Sequence, residues 1–252
     1  SVDAPSANLN IRQDGVFNLI GKEASANLSQ YHVYGEANIS EGATLETSNL
    51  LIYNDDHKAE MTVKDSTVTV RSGLNVGYTK FRNGTLNLDN SVLNANVVNL
   101  GSYGDAGTSP LYPYPEGYEK AQLNLSNGAE LKATGTFEIK DTGVMNLSGS
   151  TLTATGTITN KGEINVSGTS TVEATIDGAV NLLDGADVTF AGGANDLLVA
   201  SGAEVTLRGE LSGNEVVYEK GYKYNDDDAR GITVNIAFGK DTTFQSYAWY
   251  AS

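Results

Sequence analysis

Three groups of side chains in this 252-residue sequence have types and spacing that could do chemistry. The first is Tyr103, Tyr112, Tyr114 and Tyr118, set among Pro110, Pro113 and Pro115. Between Gly101 and Ala121 lie three of the chain's 4 prolines and four of its 13 tyrosines. A tyrosine offers a flat apolar face with a polar tip and little rotational freedom to lose, which suits a surface that binds sugars or proteins. The same rings could instead fold back and shield a face of the protein. The second group is Asp226, Asp227 and Asp228, oxygen donors of the kind calcium takes in sets of about six to eight. They lack the Asp-x-Asp-x-Asp-Gly spacing of a calcium loop, and a solvated turn is the plainer reading. Asn54-Asp55-Asp56-His57 reads the same way, with His57 as an additional ligand.

The third group is catalytic in type. Glu130, Glu138, Glu163 and Glu173 recur along the chain, and carboxylates converging on one face would serve a polysaccharide lyase or glycoside hydrolase. They stand at different phases of the sequence repeat, so convergence is not expected. The two histidines, His32 and His57, belong to no Gly-x-Ser-x-Gly or His-Glu-x-x-His signature, and there is no Walker loop or dinucleotide fingerprint. The expectation is a non-catalytic chain without a cofactor, calcium at Asp226 to Asp228 being the one candidate. A carbohydrate-active enzyme is the competing class, and an inert self-associating spacer a third.

Composition narrows the partners. Sixteen Lys and Arg against 31 Asp and Glu leave a formal charge of −15, which disfavours nucleic acid and anionic membranes, since both are bound by clustered cations. No run approaches the roughly 18 apolar residues of a spanning helix. The expectation is a soluble chain without membrane insertion, its export signal and anchor lying outside these residues. With no cysteine, disulfides and thiolate chemistry are excluded. Asn, Thr, Ser and 28 glycines dominate the polar remainder and favour strands and turns over helices.

The elements that must position these groups are set by a repeat of the form apolar-Asn-apolar, a polar pair, Gly or Ser, then a second short apolar run. It reads Leu123-Asn124-Leu125-Ser126-Asn127-Gly128-Ala129-Glu130-Leu131, and returns at Met145-Asn146-Leu147, Ile164-Asn165-Val166 and Val180-Asn181-Leu182. Taking the second apolar residue as marker gives Ile39, Val63, Leu88, Leu125, Leu147, Val166, Leu182 and Val199, with a weaker copy at Leu9-Asn10-Ile11. Coils of roughly twenty residues made of short strands and tight turns are what a parallel β-solenoid requires. Gly or Ser would turn each corner, where φ is positive. About nine to ten coils are expected. The step from Leu88 to Leu125 is a coil plus an insertion at about 101–121, where prolines exclude a stacked strand. Residues 1–213 would form the solenoid. Residues 214–252, with Tyr218, Tyr222, Tyr224 and the final strands Ile232 to Phe238 and Thr243 to Tyr250, would cap it or lead into a further domain.

Two further patterns come from the repeat itself. The six Asn-x-Ser/Thr triplets, at Asn27, Asn38, Asn83, Asn124, Asn146 and Asn165, arise mostly because it places Asn two residues before a Ser. The Thr-rich run Thr151 to Thr159 is good strand chemistry.

The repeat over about residues 8 to 210 resembles those of autotransporter passenger domains and related bacterial surface adhesins of the pertactin and filamentous haemagglutinin kind. That resemblance implies a single-stranded right-handed parallel β-helix at the surface of a Gram-negative cell or secreted from it. It implies adhesion or self-association as the role, and a host or matrix protein, a glycan or a second copy as partner.

Overall fold

The computed structural model describes residues 1–54, 58–77, 83–102, 120–199, 203–209, 215–218 and 233–238. These residues form strands and turns with no helix. Short strands Val16–Ile20, Glu36–Ser40, Glu60–Lys64, Thr85–Asp89, Ala121–Ser126, Gly143–Ser148 and Glu163–Ser167 alternate with longer ones. The long strands are Val2–Ile11, Ser25–Val33, Thr44–Ile52, Thr67–Val76, Val92–Leu100 and Thr151–Asn160, with one coil split into Glu130–Ala133 and Phe137–Ile139. Each pairs in parallel with its counterpart one coil away, so the chain winds as an all-β parallel solenoid. Thr169–Leu182 and Asp187–Val199 run through a whole coil without a break. Glu204–Gly209, Glu215–Tyr218 and Thr233–Phe238 continue the parallel stack.

The period-2 pattern explains three faces. On the short strands one residue in two points inward, as in the buried pairs Met61 and Val63, Leu86 and Leu88, Leu123 and Leu125. On the long strands alternation slips once: Ala26 and Leu28 point inward, Ser29 and Gln30 do not, then Tyr31 and Val33 do. Two successive outward residues bend the strand, making a second and a third face. Stacking like on like fills the core, and each buried Leu, Ile or Val contributes roughly 1.5–3 kcal/mol. The eight sequence markers pair one with the next along the first face, from Ile39 with Val63 to Leu182 with Val199.

Two details of the repeat are corrected. Leu9-Asn10-Ile11 is no copy of the first-face motif, because it pairs with Tyr31, His32 and Val33 on the third face. The first-face rung of that coil is Phe17-Asn18-Leu19, against Ala37, Asn38 and Ile39. Nor does Ser turn the corner. Positive φ falls on the residue before it, as at Asp65 (51°), Asn90 (47°) and Gly149 (58°), while Ser66, Ser91 and Ser150 are buried behind the turn. Asp, Asn and Gly bear the left-handed conformation at least cost.

Outward asparagines tie the first face together. Asn124 donates its amide to Asn87 Oδ1 (2.9 Å), Asn146 to Asn124 (2.8 Å), Asn165 to Asn146 (3.0 Å) and Asn181 to Asn165 (2.9 Å). Every donor points toward the preceding coil, so the amide dipoles align and reinforce one another. Thr62 interrupts the row, Asn87 donating to Glu60 Oε1 (2.8 Å) instead, and Asn38 to Asn18 (3.0 Å) forms a separate rung. Leu198, stacked beside Asn181, ends it.

Candidate functional site

The corner between the third and first faces is where the coils differ from one another. The last inward residues of the third face are Ile11, Val33, Ile52, Val76, Leu100 and Ile139, and the first face is entered at the small residues Gly15, Gly35, Ala59, Gly84, Ala121 and Gly143. Only small residues fit that entry: a Cβ on Gly84 would run into the carbonyl of Ile52 in the coil below. The connection is Tyr34 alone in one coil, then residues 53–58, 77–83 and 101–120 in the next three. Three connections of increasing length therefore join the same two faces on consecutive coils. The marker steps of 24, 25 and 37 reflect all three; the sequence reading assigned an insertion only to the last.

Described side chains at the base of these loops form a connected polar and aromatic group. Tyr34 and Tyr53 pack edge to face with centroids 5.2 Å apart and hydroxyls at 3.4 Å. His32 Nδ1 lies 3.1 Å from Tyr34 Oη and Nε2 lies 3.0 Å from Gln30 Oε1. An amide oxygen only accepts, so Nε2 carries the proton and Nδ1 accepts from the Tyr34 hydroxyl. Partial burial holds the His32 pKa below its ordinary value by disfavouring the charged ring. Asn54 donates its side-chain amide to the Tyr34 carbonyl (2.6 Å), and its backbone N–H donates to Asn83 O (3.0 Å), which ties the feet of the first two loops together. No sequence signal singled out Tyr34 or Tyr53, because their rings meet from neighbouring coils, and His32, which meets Gln30 and Tyr34 two residues to either side, matches no catalytic signature.

The feet of the longest loop are fixed by the coil above. Ser102 N–H donates to Thr142 Oγ1 (2.8 Å), and Ala121 N–H donates to the Thr142 carbonyl (3.0 Å). Thr142 thus holds both ends, and Ser102 and Thr142 are buried at 6% and 2% exposure. Lys120 adds an ion pair with Glu163.

Of the residues singled out from sequence, Tyr103, Tyr112, Tyr114 and Tyr118 lie outside the described residues, as do Asp226, Asp227, Asp228 and His57. Glu163 is on the first face, Glu130 and Glu173 on different rows of the second, and Glu138 on the third, so these four carboxylates do not converge. Glu130 pairs with Lys132 (2.6 Å) and Glu163 with Lys120. Among the described residues, no group of three or more His, Asp or Glu side chains is arranged to hold a metal ion. No protein-family model, curated protein or solved structure matches this chain. Its assignment to the parallel β-solenoids rests on the strand register itself.

Proposed function

We propose that this chain is a non-catalytic β-solenoid that holds one loop-bearing corner out for contact with a host or matrix protein or a glycan, as part of a secreted or cell-surface bacterial protein. The observation that carries this reading is that the connections 53–58, 77–83 and 101–120 all join the same two faces, at one corner, on consecutive coils. Elsewhere the described corners are short and the faces are ladders of stacked like residues. A stiff scaffold fixes the loop bases and so lowers the entropy a contact must overcome. The Tyr-Pro segment supplies aromatic anchors of the kind that dominate protein and sugar contacts.

The test is attachment to immobilised glycans, matrix proteins and cells by the chain and by a variant with Tyr112, Tyr114 and Tyr118 replaced by Ala. Attachment should fall while the β circular dichroism stays as it is. Unchanged attachment would remove the loop from the account.

A further inference from the structure

We infer that Asn83 is a site of spontaneous covalent modification, at which the side-chain amide is lost as ammonia through a succinimide formed with Gly84. The reaction needs an asparagine followed by a residue whose backbone nitrogen can reach the side-chain carbonyl carbon, and glycine, with no Cβ, hinders that approach least. The chain contains two such pairs, Asn83-Gly84 and Asn127-Gly128. The dipeptide is the same in both; the fold separates them.

In Asn127-Gly128 both reacting groups are tied. Asn127 donates its side-chain amide to Asp89 Oδ1 (2.7 Å), and the Gly128 N–H donates to the Gly149 carbonyl of the next coil (2.7 Å). The turn also holds the two residues in the left-handed region, with φ of 55° and 85°. Attack there would break two hydrogen bonds and unwind a corner. Asn83 is held through its backbone carbonyl, which accepts from the Asn54 N–H (3.0 Å). Among the described residues, neither its side-chain amide nor the Gly84 N–H has a hydrogen-bond partner. Its side chain is half-buried at the end of the 77–83 connection, so neither reacting group gives up a bond before they meet.

In the step, the Gly84 nitrogen bonds to the Asn83 side-chain carbonyl carbon, its proton leaves with the amide as ammonia, and water then opens the ring at either carbonyl. One opening leaves an aspartate. The other leaves an isoaspartate, in which the main chain runs through the side chain and is one carbon longer. Both products add a negative charge. The extra carbon cannot be absorbed on the glycine side, where a Cβ on Gly84 would already run into the Ile52 carbonyl. The Gly84 carbonyl also accepts from the Gln122 N–H (2.9 Å), and the Thr85 N–H donates to the Ala59 carbonyl (2.9 Å). Displacement therefore falls on position 83, and the bond from Asn54 that joins the feet of two neighbouring connections is lost. Modification loosens this corner and leaves the stack in place.

Trypsin, cutting after Lys80, Arg82, Lys120 and Lys132, places Asn83 and Asn127 in separate peptides. After the whole chain is incubated at mildly alkaline pH, fragmentation spectra of these peptides should show conversion of amide to acid at Asn83 at least tenfold faster than at Asn127. The ratio should approach one when the incubation is done in denaturant, where the fold no longer protects Asn127. Hydrogen exchange at the Asn54 amide, which reports local opening, should quicken at least tenfold in the isoaspartyl fraction of the aged chain and stay unchanged in Asn83→Gln aged alongside. Equal rates at the two asparagines in the folded chain, an Asn83 that keeps its amide, or exchange at Asn54 that quickens as much in Asn83→Gln would overturn the inference.

Discussion

Tyr31 shows how an inward position can be filled by a residue that does not match it. It is fully buried against Phe17 with ring centroids 5.8 Å apart, and its hydroxyl has no hydrogen-bond partner. Burial without a partner raises its pKa well above the usual tyrosine range. Tyr31→Phe keeps the ring and removes the stranded hydroxyl, so it should stabilise the fold by about 1 kcal/mol, read as a higher denaturation midpoint. The asparagine row behaves in the opposite sense. Asn146 both donates to Asn124 and accepts from Asn165, so Asn146→Ala should cost about 1–2 kcal/mol, and Asn18→Ala, at the end of its row, less. The outward phase of these asparagines is legible in apolar-Asn-apolar. Their bonding is not, because the partner sits one coil away at a spacing that varies from 16 to 37 residues. The same bonds account for the Asn-x-Ser triplets at Asn38, Asn124, Asn146 and Asn165 as parts of the ladder. At His32 the folded pKa lies below the unfolded value of 6.5. The unfolded chain therefore takes up a proton that the folded chain resists as pH falls through 6.5, and stability declines over that window. The decline between neutral pH and about pH 5 should be smaller in His32→Gln, measured by denaturant titration at each pH.

At the scale of strands and turns, the sequence repeat is a reliable guide on the first face and a poor one on the third. The markers fall in register because a buried Leu, Ile or Val two places after another is hard to satisfy elsewhere in a thin core. Leu9-Asn10-Ile11 misleads because the third face uses the same alternation, Leu74-Asn75-Val76 and Val98-Asn99-Leu100 among its rungs, with Asn99 donating to Asn75 at 3.0 Å. Composition cannot separate two faces built by one rule; the turn that follows does. The two shorter loops were visible only as steps of 24 and 25 residues beside coils of 16 to 22. Thr142 is the element-level residue with the clearest consequence. Thr142→Val preserves shape and removes the hydroxyl that Ser102 uses, leaving a buried N–H without its acceptor. A loss of about 1–3 kcal/mol should appear locally, as faster hydrogen exchange at Gly101 and Ser102 and quicker proteolysis between residues 103 and 119, with the distant first-face ladder unaffected.

For the molecule as a whole, the charge of −15 and the parallel stack work against each other. A solenoid is a column of strands that tends to add more strands, and acidic side chains on outward positions such as Glu36, Asp65, Glu173 and Asp187 hold copies apart along the sides. Screening that repulsion with salt should promote side-to-side association, seen as growth in light scattering above about 1 M salt, where the Debye length is near 3 Å. The solenoid class was legible because repetition multiplies a weak signal, and the Tyr-Pro insertion was legible as a break in that repeat; that two shorter connections share its corner was not, since the corner is defined only by the strand register. Removing residues 103–119 leaves a coil close in length to its neighbours, so the stack should close without them. The central claim is that contact belongs to the loop corner and stability to the stack. Attachment of this excised chain to glycan and matrix surfaces, compared with the intact chain at equal β content, measures that directly. The account requires attachment to fall at least tenfold with the denaturation midpoint nearly unchanged; full attachment by the excised chain would contradict it.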